Sequence, residues 1–124
     1  MENKPQQLPE RIMIIDDDPF SVMLSKLKLR SVIDEKNIVE YYDANSALKF
    51  LDQHLGKESA MIPNLILLDV MMNESNGWDF IPKFSDLVVK SKTEIQLVVL
   101  TSSQFFSDYR RALKFDMVKG FIVK

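Results

Sequence analysis

The sequence contains no cysteine, which excludes a disulfide framework and any Cys-ligated zinc site. No apolar run approaches the roughly 20 residues that span a bilayer. The N-terminal stretch from Met1 to Pro9 is polar and holds two prolines, unlike the apolar core of a secretory signal. Neither sign of charge dominates: 16 Lys and Arg against 18 Asp and Glu leave a net charge of −2. That balance offers no electrostatic footprint for direct nucleic-acid binding. There is a single histidine, His54, with no base–nucleophile pair around it, so it reads as a surface residue. No G-x-x-x-x-G-K-[ST] stretch occurs, so ATP binding has no support. Asp16-Asp17-Asp18 lacks the glycine at position six and the glutamate at position twelve that a calcium loop requires. Internal repeats and low-complexity tracts are absent. These absences leave a protein expected to be soluble and cytoplasmic, with no membrane partner.

What is present is a set of apolar runs that end in chemistry. Leu65-Ile66-Leu67-Leu68 ends in Asp69, and a polar turn closing on Gly77 follows. A short apolar run bounded by turn signals fits a strand buried on both faces. Ile12-Met13-Ile14-Ile15 ends in Asp16-Asp17-Asp18, Leu97-Val98-Val99-Leu100 in Thr101-Ser102-Ser103, and Phe121-Ile122-Val123 in Lys124. In open α/β sheets, ligands bind beyond the carboxyl ends of the strands. Four strand ends carrying acids, an acid, hydroxyls and a lysine therefore point to one rim with Asp69 at its centre.

The 124 residues, 46% hydrophobic and 27% charged, suit one domain with one core. Residues 1–10 read as a flexible lead-in and residues 11–124 as the domain. After the first strand, Asp18-Pro19 reads as an N-cap with proline at the first helical position. Phe20, Met23, Leu24 and Leu27 follow at helical spacing. Ile38 to Tyr42 reads as the second strand, and Asp43 to Ser46 as turn and cap. Ala47, Leu48, Leu51 and Leu55 mark the second helix, stopped by Gly56. A third helix runs from Gly77 to about Lys90 with Trp78, Ile81, Phe84, Leu87 and Val88 as its buried stripe. Pro82 near its first turn predicts a tight or kinked start. The fourth strand spans Ile95 to Leu100. Ser107 or Asp108 caps a fourth helix that includes Phe105, Tyr109, Ala112 and Leu113. Gly120 leads into the fifth strand. Strand–helix alternation predicts a parallel sheet with right-handed crossovers and helices on both faces.

Asp16, Asp17 and Asp69 converging on one rim would repel unless neutralised. A hard cation such as Mg²⁺, which favours oxygen ligands, relieves this. Asp69 is then a candidate nucleophile able to carry a phosphoryl group as an acyl phosphate. Such a transfer needs positive charge and hydrogen-bond donors around the phosphoryl oxygens. Mg²⁺, the Lys124 ammonium and the Thr101 hydroxyl supply them. The remaining readings are plainer. Asp18 is a helix cap rather than a ligand, Thr101 to Ser103 can cap a loop, and Lys124 can be a solvated terminus.

With these residues in place the chain resembles the receiver domain of two-component response regulators, and most closely the small stand-alone, chemotaxis-type receivers. The resemblance rests on Asp16 and Asp17 after the first strand, Asp69 after the third, Thr101 after the fourth and Lys124 after the fifth. Gly77, eight positions after Asp69, also matches. The resemblance covers residues 11–124. It implies an α/β, flavodoxin-like, doubly wound sheet of five parallel strands in the order 2-1-3-4-5. It implies that Asp69 takes phosphate from a histidine kinase or histidine phosphotransfer protein. It implies that Asp17 and Asp69 bind Mg²⁺ directly with the Met71 backbone carbonyl, while Asp16 acts mostly through a metal-bound water. Thr101 and Phe121 would form the switch, and a downstream protein partner would dock near Tyr109, Lys114 and Phe121.

On this reading the protein is a phosphoacceptor switch that assists its own phosphorylation and dephosphorylation, not an enzyme on other substrates. Two alternatives stay open. One is a degenerate receiver acting as a phosphorylation-independent interaction module. The other is a small phosphohydrolase, against which Met71 stands where that chemistry wants an acid. Asn73 replaces the family's usual proline, and Met71 and Ser103 occupy positions that tune phosphate lifetime. The family continues past its lysine with a proline and a fifth helix, whereas this sequence stops at Lys124. The expectation is therefore a receiver lacking its last helix, truncated relative to a natural chain. Its uncovered apolar face would invite a partner chain or a homodimer. The terminal carboxylate of Lys124 would also weaken anion binding at the site.

Overall fold

A computed structural model of the chain describes residues 9–57, 61–72, 77–101, 110–112 and 114–124. Its strands are β1 (Ile12–Ile15), β2 (Ile38–Tyr41), β3 (Leu65–Asp69), β4 (Gln96–Thr101) and β5 (Val118–Val123). Between them lie α1 (Pro19–Leu29), α2 (Ala44–His54) and α3 (Gly77–Ser91), with a 3₁₀ turn at Glu35–Asn37 ahead of β2. Arg110–Ala112 are helical. The rest of the predicted fourth helix, with Ser107, Asp108, Tyr109 and Leu113, lies outside the described residues.

The strands pair in parallel in the order β2-β1-β3-β4-β5, the flavodoxin-like arrangement expected from the resemblance. The chain reverses its direction across the sheet after β2, passing to the other side of β1. Because crossovers are right-handed, that reversal puts α1 on one face and α2 and α3 on the other. The two helix layers cover two separate cores. Met13, Ile15, Ile66, Leu68, Leu97 and Val99 pack with Ala47 and Leu51 of α2 and with Ile81 and Phe84 of α3. Ile12, Ile14, Leu67 and Leu100 pack with Val22 of α1 and with Ile33. Strands buried on both faces are why these segments read as unbroken apolar runs.

The helix starts follow their local chemistry. The Asp18 side chain accepts from the Phe20 amide at 3.0 Å, and Pro19 takes the first helical position. The Asp43 side chain accepts from the Ser46 amide at 2.8 Å and from the Ser46 hydroxyl at 2.7 Å. At the end of α2, Leu55 caps and Gly56 turns with φ +82°, a conformation that glycine adopts without Cβ strain.

Four details depart from the sequence reading. Phe20, Met23, Leu24 and Leu27 form a regular stripe on α1, yet all are exposed, while Val22 is the buried residue of this helix. Helical spacing identifies a stripe but not the side of the helix that the sheet occupies. In α3, Phe80 is buried as well. β5 begins at Val118, ahead of Gly120, and its register against β4 shifts by one residue between Leu97 and Val98. A Cβ on Gly120 would lie 3.3 Å from a Val98 methyl, so glycine eases the approach of the strands there. His54 is half-buried against Phe50, with ring centroids 4.3 Å apart, rather than simply on the surface. No helix among the described residues is long and apolar enough to cross a membrane.

Candidate functional site

Side chains alternate across a strand, so residues two apart share a face. On the α1 side of the sheet, Ile12 and Ile14 are followed by Asp16, Leu67 by Asp69, and Gly120 and Ile122 by Lys124. Each sequence ends at the carboxyl edge. The strand order reverses between β1 and β3, and their ends flank the crevice where such sheets bind ligands.

Lys124 joins the groups. Its Nζ donates to Asp16 Oδ2 at 2.6 Å, to Ser21 Oγ at 2.6 Å and to Asp69 Oδ2 at 2.8 Å. Its backbone N–H donates to the Thr101 carbonyl at 2.7 Å, which anchors the end of β5 on β4. The second oxygen of Asp69 accepts from the Met71 amide at 2.8 Å, and Asp16 Oδ1 accepts from the Asp18 amide at 3.0 Å. Both carboxylates are buried, and each is held by a cation on one oxygen and an amide on the other.

Burial and pairing pull the titrations apart. Burial raises the Asp69 carboxyl, and the Lys124 ammonium and Met71 amide offset this only in part, so the net shift is upward. Burial acts on Asp16 in the same sense. There the hydrogen bonds from Lys124, Ser21 and the Asp18 amide win, and the carboxyl sits below its usual range. Burial alone would lower the Lys124 ammonium, but hydrogen bonds to Asp16 and Asp69 raise it. Asp16 therefore gives up its proton more readily than a free aspartate and Asp69 less readily, while Lys124 between them holds its proton more tightly.

Asp16, Asp17 and Asp69 each offer an oxygen, and these atoms lie within 4.8 Å of one another. An anionic, all-oxygen donor set with Asp17 half-exposed fits a hard divalent cation that retains water. Met71 follows β3 with its side chain exposed. Thr101 is fully buried at the end of β4. Phe121 pairs with Val99 and Val123 with Thr101, so Thr101 and Phe121 are diagonal neighbours on the α2–α3 face, opposite Lys124. Asn73 and Ser103 lie outside the described residues.

Gly77 gives the site its floor. A Cβ there would fall 2.5 Å from the Val70 Cα and 2.6 Å from the Asp69 carbonyl oxygen. Only glycine lets α3 start against the peptide that carries Asp69. Ser21 is the site residue that sequence reasoning missed. It is the third residue of α1, where a polar side chain is ordinary, so its spacing carried no distinguishing signal.

Among solved structures, the chain is similar to a two-component response regulator from Cytophaga hutchinsonii, with 24% identity and a TM-score of 0.78 over 95% of this chain and 87% of that one. It is similar to the Mn²⁺-bound form of response regulator Rcp1, with 24% identity and a TM-score of 0.74 over 93% and 81% of the two chains. A response regulator from Burkholderia pseudomallei, with a phosphorylated aspartic acid, calcium ion and citrate, matches at 18% identity and a TM-score of 0.68 over 93% and 59%. At these identities the likeness is one of fold. No curated protein matches the sequence. Residues 12–124 match the family model described as the response regulator receiver domain, and the chain accordingly belongs to that family of two-component signalling domains.

Proposed function

We propose that Asp69 accepts a phosphoryl group from the phosphohistidine of a histidine kinase or histidine phosphotransfer protein, and that the acyl phosphate switches a protein-interaction surface. The carrying observation is the Lys124 ammonium held between Asp16 and Asp69 at 2.6 and 2.8 Å, on the rim where the paired strands β1 and β3 end and the strand order reverses. The phosphorylated aspartic acid of the Burkholderia relative supports the same chemistry here.

In the transfer, an Asp69 oxygen forms the new O–P bond as the N–P bond of the donor breaks. The electron pair of that bond stays on the ring nitrogen, and the imidazole leaves neutral when its other nitrogen is protonated. Asp69 is suited to this because the Met71 amide and Lys124 fix its carboxylate in one orientation. Lys124 offers its ammonium to a phosphoryl oxygen arriving at Asp69 Oδ2. Thr101 contributes a hydroxyl from the neighbouring strand, and Phe121, diagonal to it, carries the change into β5. Asp17, Asp69 and the Met71 carbonyl would hold Mg²⁺, with Asp16 beside them. The ion would neutralise charge on the phosphoryl oxygens and among the carboxylates. The downstream protein partner would read the surface around Phe121 and the exposed Lys114.

Intact mass after incubation with phosphoramidate tests the reading. Wild type gains one phosphoryl group when Mg²⁺ is present. Asp69→Asn, or wild type with chelator, gains none. An adduct that persists in Asp69→Asn overturns the assignment, and so does a wild type that never gains one.

A further inference from the structure

The site contains one contact that the phosphoacceptor reading does not use. A lysine ammonium has three N–H donors. Those of Lys124 meet Asp16 Oδ2, Asp69 Oδ2 and Ser21 Oγ, all within 2.8 Å. Two of these acceptors are carboxylates offered to a metal ion, and one of them is the proposed nucleophile. On the phosphoacceptor reading, both would take new partners when a cation or a phosphoryl group arrives. The third acceptor is a neutral hydroxyl on a different element, outside the carboxylate set. Ser21 sits in the first turn of α1, whose start is set by the Asp18 cap and Pro19. Its hydroxyl also hydrogen-bonds the Asp16 side chain. Lys124, by contrast, follows an edge strand and carries a long, rotamer-rich side chain that loses freedom when held in one place.

We propose that Ser21 is a positioning residue that acts through Lys124, holding the ammonium at the mouth of the site while the two carboxylates exchange partners. The inference rests on the phosphoacceptor reading. Ser21 does not touch phosphorus; it keeps the cation within reach of the phosphoryl oxygens. A hydroxyl is needed because it accepts from the ammonium without adding a fourth negative charge.

The test uses the full chain, phosphoramidate with saturating Mg²⁺, and the rate of phosphoryl addition followed by intact mass. Ser21→Ala should slow addition roughly tenfold, the scale of one hydrogen bond to a charged group. The near-isosteric pair Ser21→Thr and Ser21→Val separates the hydroxyl from packing: Thr should stay within about threefold of wild type, and Val should fall with Ala. A second readout does not depend on phosphorylation. Lys124 acetylation by acetic anhydride, measured against the other lysines, should rise several-fold in Ser21→Ala and Ser21→Val but not in Ser21→Thr. Rates in Ser21→Ala and Ser21→Val equal to wild type overturn the proposal, as does a slower rate with Lys124 acetylation unchanged. If wild type itself gains no phosphoryl group, the Asp69 reading fails, and the anchoring of Lys124 by Ser21 is judged on acetylation alone.

Discussion

Gly77 shows how closely the end of β3 is built against the start of α3. With a Cβ falling 2.5 Å from Val70 Cα, an alanine there must push α3 away from the β3 terminus or twist the Asp69–Val70 peptide. Gly77→Ala should therefore cost at the upper end of the about 1–3 kcal/mol typical of overpacking, read as a lower urea midpoint. On the proposed function, the same displacement should slow phosphoryl addition, since Asp69 moves relative to Lys124. An unchanged midpoint would mean that α3 starts elsewhere in solution. At this scale most of the site was legible. Asp16, Asp17, Asp69, Thr101 and Lys124 all end apolar runs, and a strand end is visible locally. Ser21 was not legible, because its partner is 103 positions away and a serine in a first helical turn has ordinary local reasons to be there.

Among the elements, α2 offers the cleanest link between a side chain and stability. The Asp43 carboxylate accepts from the Ser46 amide and hydroxyl, and those bonds hold its titration below the usual aspartate range. A carboxyl depressed on folding contributes stability that is present above its unfolded value of roughly 3.9 and lost as pH falls through the lower folded value. Asp43→Ala should cost about 1 kcal/mol at neutral pH. The gap between the two proteins should stay level above about pH 5 and narrow below roughly pH 4, as measured by urea unfolding across pH. A gap independent of pH would show that the carboxylate form is not what caps the helix. The cap was legible from Asp43 to Ser46 alone, as were the Asp18-Pro19 start of α1 and the Gly56 stop of α2. Capping is settled within one turn of chain.

Over the whole molecule, the sheet sorts identical residue types into opposite roles. Phe84 on α3 is fully buried between the helix and the sheet, whereas Phe20 on α1 is 61% exposed. Phe84→Ala should cost about 3–5 kcal/mol and Phe20→Ala less than about 1 kcal/mol by the same unfolding measurement. Equal losses would mean that the α1 stripe is covered in solution, since an exposed phenyl has little packing to lose. At the end of β5, Ile122 is 50% and Val123 45% exposed. Both cores nonetheless hold, because each draws on the central strands β1 and β3, whose side chains alternate between them.

The sequence by itself determined the strand–helix order, the caps, and which reactive groups stand at which strand ends. Each of these is encoded within a few residues by periodicity, turn chemistry or a cap. Through its resemblance to a known family it also determined the strand order. Only the tertiary structure decided that Asp16, Asp69 and Lys124 meet on the α1 side while Thr101 and Phe121 lie on the other. That division follows from strand register, including the shift before Val98, and register is a property of paired strands rather than of either alone. The tertiary structure likewise decided that Val22, not the Phe20–Leu27 stripe, packs on the sheet, and that Ser21 reaches Lys124. A helix carries its pattern in its own sequence, but the side from which the sheet approaches is set by the crossover that brings it there.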